Sequence, residues 1–182
     1  LEDFTLLVSR LGDEEAHRII RVHNAIVREA LSAHDGYEVE VQGDGFLLAF
    51  GSARQALLCA IAIQRRFAVR NETADEPLQV RIGLHTGEAL RDADKFFGKT
   101  VIQAFRIADL ARAEEILISE EVRKQIEVVG SFRFVDERQQ EIGEHDVYRS
   151  VRKRQIVRIG LQLCCAAEPA AFGFRIPKHC KR

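Results

Sequence analysis

Three side chains stand where they could do chemistry. Asp44 lies in Gly43-Asp44-Gly45, between an alternating run over 37–42 and an apolar run over 46–50. An Asp-Gly pair between two such runs is a strong local signal for a β-hairpin. Such a turn often only closes a hairpin. A carboxylate fixed there also suits a hard divalent cation, which prefers carboxylate oxygen. Arg106 stands in a run of mixed apolar and charged residues. Its ordinary place is a helix surface. His85 ends an apolar run beside Thr86 and Gly87. A general base is one reading, and a structural histidine at a strand end is the more ordinary one. The four cysteines, Cys59, Cys164, Cys165 and Cys180, match no zinc or Cys-x-x-Cys spacing. A reducing, cytoplasmic setting is expected.

These groups need a scaffold. From Asp13 to about Ala33 apolar residues recur at helical spacing, and His23 falls on that stripe as a core or interface residue. Asp13 follows Gly12 and is the expected N-cap. The hairpin over 37–50 comes next. Ser52 caps a helix to about Val69, with Cys59 on its apolar face as a small core residue. A polar loop over 71–77 leads to a strand from Leu78 that ends at His85-Thr86-Gly87. Residues 91–98 read as turns and 100–113 as a helix. A strand follows over 116–119, and Ser119 caps the helix that starts at Glu120. Residues 132–135 and 146–150 read as a closing antiparallel pair. This order suits an α+β fold with helices packed over a mainly antiparallel sheet.

Composition sets outer bounds. The chain has 182 residues and a formal charge of −1, which argues against a protein that coats nucleic acid. No apolar run approaches the ~20 residues of a membrane span. The chain contains no methionine and opens on Leu1, so residues upstream are expected, with an N-terminal regulatory domain or a membrane anchor both open. Past Val151 the character shifts. Residues 152–182 carry eight Lys/Arg against the single acid Glu168, and hold three of the four cysteines. The expected division is a domain over 1–151 and a basic, poorly ordered tail over 152–182.

Several short motifs fall in one order. Glu40-Val-Gln-Gly-Asp-Gly-Phe-Leu-Leu-Ala-Phe-Gly51 is followed by Val80-Arg-Ile-Gly-Leu-His-Thr-Gly87. Then come Phe96-Phe-Gly-Lys-Thr-Val101 and Arg106, with Leu1-Glu-Asp-Phe-Thr5 and Arg10-Leu-Gly-Asp-Glu-Glu15 at the start. Together they resemble the catalytic domain of class III adenylyl and guanylyl cyclases over residues 1 to about 150. The resemblance implies a ferredoxin-like cyclase fold. It implies conversion of a nucleoside triphosphate, ATP or GTP, to its 3′,5′-cyclic monophosphate and pyrophosphate. Two Mg²⁺ or Mn²⁺ ions would be held by two aspartates. Asp44 matches one of these, and the other is expected immediately before Leu1. Asp3, Phe4 and Thr5 match the loop that cradles the β- and γ-phosphates. Arg106 matches the arginine that stabilises charge on the α-phosphate. Such sites form at a homodimer interface.

The base-recognition positions depart from the adenylyl pattern. The resemblance places Glu40 where adenylyl cyclases carry Lys, and Lys95 where they carry Asp or Thr. Guanine offers N1–H and a 2-amino group as donors and O6 as acceptor, so a carboxylate at 40 and an ammonium at 95 complement it. GTP use or relaxed specificity is therefore expected. The ribose-positioning Asn of the family falls at Ile102, which leaves the neighbouring Gln103 to substitute. The late phosphate-binding Lys has no clear match. Three readings follow. The first is a homodimeric cyclase, in which the 182 residues alone would show little or no turnover. The second is a degenerate cyclase fold serving as a dimerising or nucleotide-sensing module. The third is an unrelated ferredoxin-like binding domain.

Overall fold

The computed structural model describes residues 8–92, 95–127, 147–150 and 159–166. Residues 8–11 are helical, and Gly12 at φ +80° starts α1, Asp13–Ala33. The expected cap at Asp13 shifts by one residue. Asp13, Glu14 and Glu15 instead fill the first turn, where carboxylates face the positive end of the helix dipole. Strands β1, Tyr37–Gln42, and β2, Gly45–Phe50, form the hairpin. Its central pair is Gly43-Asp44, with Gln42 opposite Gly45. Gly43 has φ +61° and Asp44 does not have positive φ, the pattern of a type II′ turn. The glycine is needed at the first central position, and Asp44 sits at the second.

Ser52 caps α2, Ala53–Asn71, by accepting from the Gln55 amide at 3.2 Å. The following loop is closed by Asn71. Its amide donates to the Leu78 carbonyl at 2.6 Å and accepts from the Leu78 N–H at 2.8 Å. Strand β3 is Val80–Gly87. The stretch expected as turns contains a short antiparallel hairpin, β4 Leu90–Asp92 and β5 Lys95–Phe97. Helix α3, Lys99–Leu110, stops three residues short of expectation. Ala111 is extended, Glu114 has φ +62°, and the Glu115 carboxylate accepts from the Arg112 N–H, so the chain turns into β6, Ile116–Ser119. Helix α4, Glu120–Glu127, follows, and β7, Val147–Ser150, pairs antiparallel with β6. The strand expected at 132–135 lies outside the described residues.

The last strand, β8 (Ile159–Ala166), lies within the stretch expected as a loose tail. It runs between β2 and β3, parallel to both, in a six-stranded sheet of order β1-β2-β8-β3-β6-β7. Averaged composition hid it: the basic residues flank a mostly apolar stretch, Leu161 to Ala166, broken only by Gln162. The architecture is the expected α+β one. The β1–β2, β4–β5 and β6–β7 pairs are antiparallel, and β8 and the β3–β6 pair add the parallel ladders.

The sheet has two unlike faces. On one, α1, α2 and α4 bury Phe46, Leu48, Phe50, Ile82 and Ile118 in the main core. His23 is fully buried there, its ring between Phe46 and Phe67 at centroid distances of 5.7 and 5.5 Å. Its Nδ1 lies 2.9 Å from the Asn24 side-chain oxygen, and Nε2 is buried without a hydrogen-bond partner. Burial disfavours the charged ring and lowers its pKa to about 4. Cys59 is in the same core, and burial pushes its thiol up to about 12. On the other face, α3 covers Leu47 and Leu117. No described helix is long and apolar enough to cross a membrane.

Candidate active site

Helix α3 lies unusually close to β3 because the strand has no side chain at the contact. A Cβ on Gly83 would fall 2.3 Å from the Ala108 nitrogen. At the other end the Thr100 hydroxyl donates to the Glu88 carbonyl oxygen, and a Cβ on Gly87 would meet that hydroxyl at 2.7 Å. These contacts fix the helix that carries the candidate arginine. Ala104, Ile107 and Ala108 face inward, and Arg106 is exposed on the outer side. No ion pair among the described residues engages Arg106, so its guanidinium is available to an incoming anion.

The neighbours on α3 differ from each other in direction. Ile102 is 52% exposed. Gln103 is half-buried, and its carbonyl oxygen is buried without a hydrogen-bond partner. The polar group next to Ile102 is thus turned partly into the protein.

Glu40 lies on β1 and Lys95 on β5, strands of two different sheets that come into contact. Strand β5 packs beside β1, anchored by Phe96 against Leu47, Val101 and Ala104. Lys95 is exposed and Glu40 half-buried. They form no ion pair with each other among the described residues, so both are available to a third group. Asp44 differs from all of these. Although it sits in a turn, it is only 1% exposed. Burying a carboxylate is costly unless cations or donors meet it. Asp3, Phe4 and Thr5 lie outside the described residues.

Sequence reasoning missed one cluster. His85 is buried with Nδ1 2.9 Å from Ser119 Oγ and 3.7 Å from Glu121 Oε2. Ser119 and Glu121 both meet the same ring nitrogen, which ties the end of β3 to the start of α4. This geometry positions elements, in keeping with the structural reading of His85.

The profile described as "Adenylate and Guanylate cyclase catalytic domain" matches residues 1–153. The chain belongs to this family. It is 32% identical over 124 residues to the serine/threonine-protein kinase pkn2 of Myxococcus xanthus, a match that covers 67% of this chain and 15% of that protein. It is 30% identical over 139 residues to an adenylate cyclase of Mycosarcoma maydis, covering 62% of this chain and 6% of that protein. The chain therefore spans a small part of these curated relatives. The crystal structure of an adenylate/guanylate cyclase/hydrolase from Silicibacter pomeroyi superposes with a TM-score of 0.70 at 27% identity, over 81% of this chain and 89% of that one. Cyclase-domain membership and the α+β cyclase fold are thus established for this protein, and strand β8 lies beyond the family match.

Metal binding has a narrower basis. Among the described residues no three His, Cys, Asp or Glu side chains gather into a cage. A single buried carboxylate fits a Mg²⁺-type ion that draws its other ligands from substrate phosphates, water and further residues.

Proposed function

We propose that this domain cyclises a purine nucleoside triphosphate to the 3′,5′-cyclic monophosphate with release of pyrophosphate, accepting GTP at least as well as ATP. The observation that carries this reading is an acid, Glu40 on β1, and a base, Lys95 on β5, on two strands in contact, with neither held in an ion pair among the described residues. Glu40 accepts from the guanine N1–H and 2-amino group, and Lys95 donates to O6. Arg106 faces the α-phosphate, where negative charge grows as the 3′-oxygen attacks and pyrophosphate leaves. Asp44 supplies a carboxylate to Mg²⁺ or Mn²⁺, which when bound lowers the pKa of the attacking hydroxyl and neutralises phosphate charge. Asp3, Phe4 and Thr5 cradle the β- and γ-phosphates.

The domain acts as a homodimer, with Asp44 of one copy meeting Glu40, Lys95 and Arg106 of the other. The exposed apolar residues Leu90, Phe97 and Ile102, at 75, 47 and 52%, cluster around β4–β5 and α3 and support a protein contact there. The same feature favours a second reading. Ile102 offers the ribose no hydrogen bond, so a dimerising, nucleotide-sensing module without turnover fits it as well.

Side-by-side assays of the full-length protein with ATP and GTP, in Mg²⁺ and in Mn²⁺, separate these readings. Cyclic nucleotide from GTP at a rate equal to or above that from ATP is the expected result. A clear ATP preference, unchanged by Glu40→Lys with Lys95→Asp, overturns the specificity. Nucleotide binding without turnover supports the module.

A further inference from the structure

Strand β3 presents more than glycines to helix α3. Gly83 lies under Ala108 and Gly87 beside Thr100. Arg81, two residues before Gly83, falls on the same face by strand alternation. Its guanidinium reaches the last turn of the helix. Nη1 donates to the Asp109 carbonyl oxygen at 2.9 Å, and Nη2 donates to Asp109 Oδ1 at 3.0 Å.

Asp109 is an awkward residue for that turn. The last carbonyls of a helix carry the negative end of its dipole, so a carboxylate beside them needs a cation. The last turn of α3 holds no basic residue of its own. Arg81 supplies the charge from the sheet. It is 23% exposed against 64% for Asp109, so the pair is anchored on the strand side.

The next cation along the helix is Arg106. It stands three residues before Asp109, and both are exposed. Residues three apart are neighbours on a helix surface, and an Arg and an Asp at that spacing attract each other. Arg112 follows the extended Ala111 and so leaves the helical spacing. Among the described residues the ion pair of Asp109 is with Arg81, and none engages Arg106.

We infer that Arg81 is a positioning residue for Arg106: by holding the Asp109 carboxylate, it keeps the neighbouring guanidinium free for the α-phosphate. This rests on the reading of Arg106 as the arginine at that phosphate. Without the strand arginine, Asp109 turns to Arg106, and the phosphate has to compete with it. Arg81 touches no substrate in this scheme.

The test uses the full-length protein. Arg81→Met keeps the apolar stem and removes the donors and the charge. It should lower kcat roughly two- to threefold with KM little changed, because an exposed pair at this spacing leaves Arg106 free less than about half the time. Asp109→Asn alone should stay near the wild-type rate, and added to Arg81→Met it should restore kcat. An Arg81 that only braces the helix predicts no rescue, since Asp109→Asn leaves the same helix-end carbonyl without its donor. Failure of the rescue therefore overturns the inference. Phenylglyoxal modification of Arg106, followed by peptide mass spectrometry, reads the guanidinium without turnover. It should slow in Arg81→Met and recover in the double variant, and an unchanged rate in Arg81→Met also overturns the inference. Arg106→Ala separates the two levels. An unchanged kcat in that variant, beside the expected phenylglyoxal pattern, overturns the role at the α-phosphate and supports the competition for Asp109.

Discussion

The two faces of the sheet are finished differently. The α1/α2/α4 face is closed by its own chain: Phe46, Leu48, Leu57, Ile63, Ile82 and Ile118 are fully buried there, and its ion pairs, such as Arg28–Glu38, are made within the molecule. The α3 face is thinner. It buries a smaller apolar cluster, exposes Leu90, Phe97 and Ile102, and presents Glu40, Lys95 and Arg106 without ion pairs among the described residues. One face is closed by ion pairs and a large apolar core, and the other leaves Glu40, Lys95 and Arg106 without ion pairs among the described residues.

If that division is right, mutations on the two faces should separate stability from activity. The largest effect belongs to the closed face. Phe46→Ala removes a ring that touches His23 and lies beneath the Arg28 guanidinium, and should cost ~3–5 kcal/mol of unfolding free energy in a denaturant titration. Arg106→Ala, on the open face, should instead lower turnover of the full-length protein by a factor of about 10²–10³ (~2.7–4 kcal/mol). Its effect on stability should stay within ~0.5 kcal/mol, as for an exposed side chain. A melting shift as large as that of Phe46→Ala would break the comparison.

Acid offers a third probe. The unfolded chain protonates His23 below about pH 6.5, and the folded chain only below about pH 4. Between those values the unfolded state binds more protons, so the His23 contribution is fully present above pH 6.5 and is lost as pH falls towards 4. The loss should reach ~3 kcal/mol. His23→Phe should flatten that part of the stability–pH curve, and an unchanged slope would show that the ring does not carry it. The smallest effect belongs to a pair on the closed face's outer surface. Arg66 and Glu29 are both well exposed, so Arg66→Ala should change stability by less than ~1 kcal/mol, with the difference shrinking in high salt.

Much of this fold is local and was therefore legible in the sequence. The stripe from Asp13 to Ala33, the serine cap at 52 and the hairpin around Asp44 each depend on residues a few positions apart. The core place of Cys59 and the core-or-interface place of His23 followed from helical spacing, and the ordered motifs carried the cyclase family over residues 1 to about 150, close to the matched 1–153. Pairing between distant segments followed from no local rule. The hairpin β4–β5, the entry of β8 between β2 and β3, and the tying of His85 to Ser119 all join residues far apart or too short to show a period. The side of the sheet that Glu40 takes is the clearest case. Its sequence alternates without interruption, and only the pairing with β2 shows that Glu40 stands opposite Leu47 while Glu38, beyond the extra residue Val39, stands opposite Leu48. The residue types at 40, 44, 95 and 106 were thus set by the sequence, while their facing was decided by tertiary structure, because a side chain's direction in a strand belongs to the register with its partner.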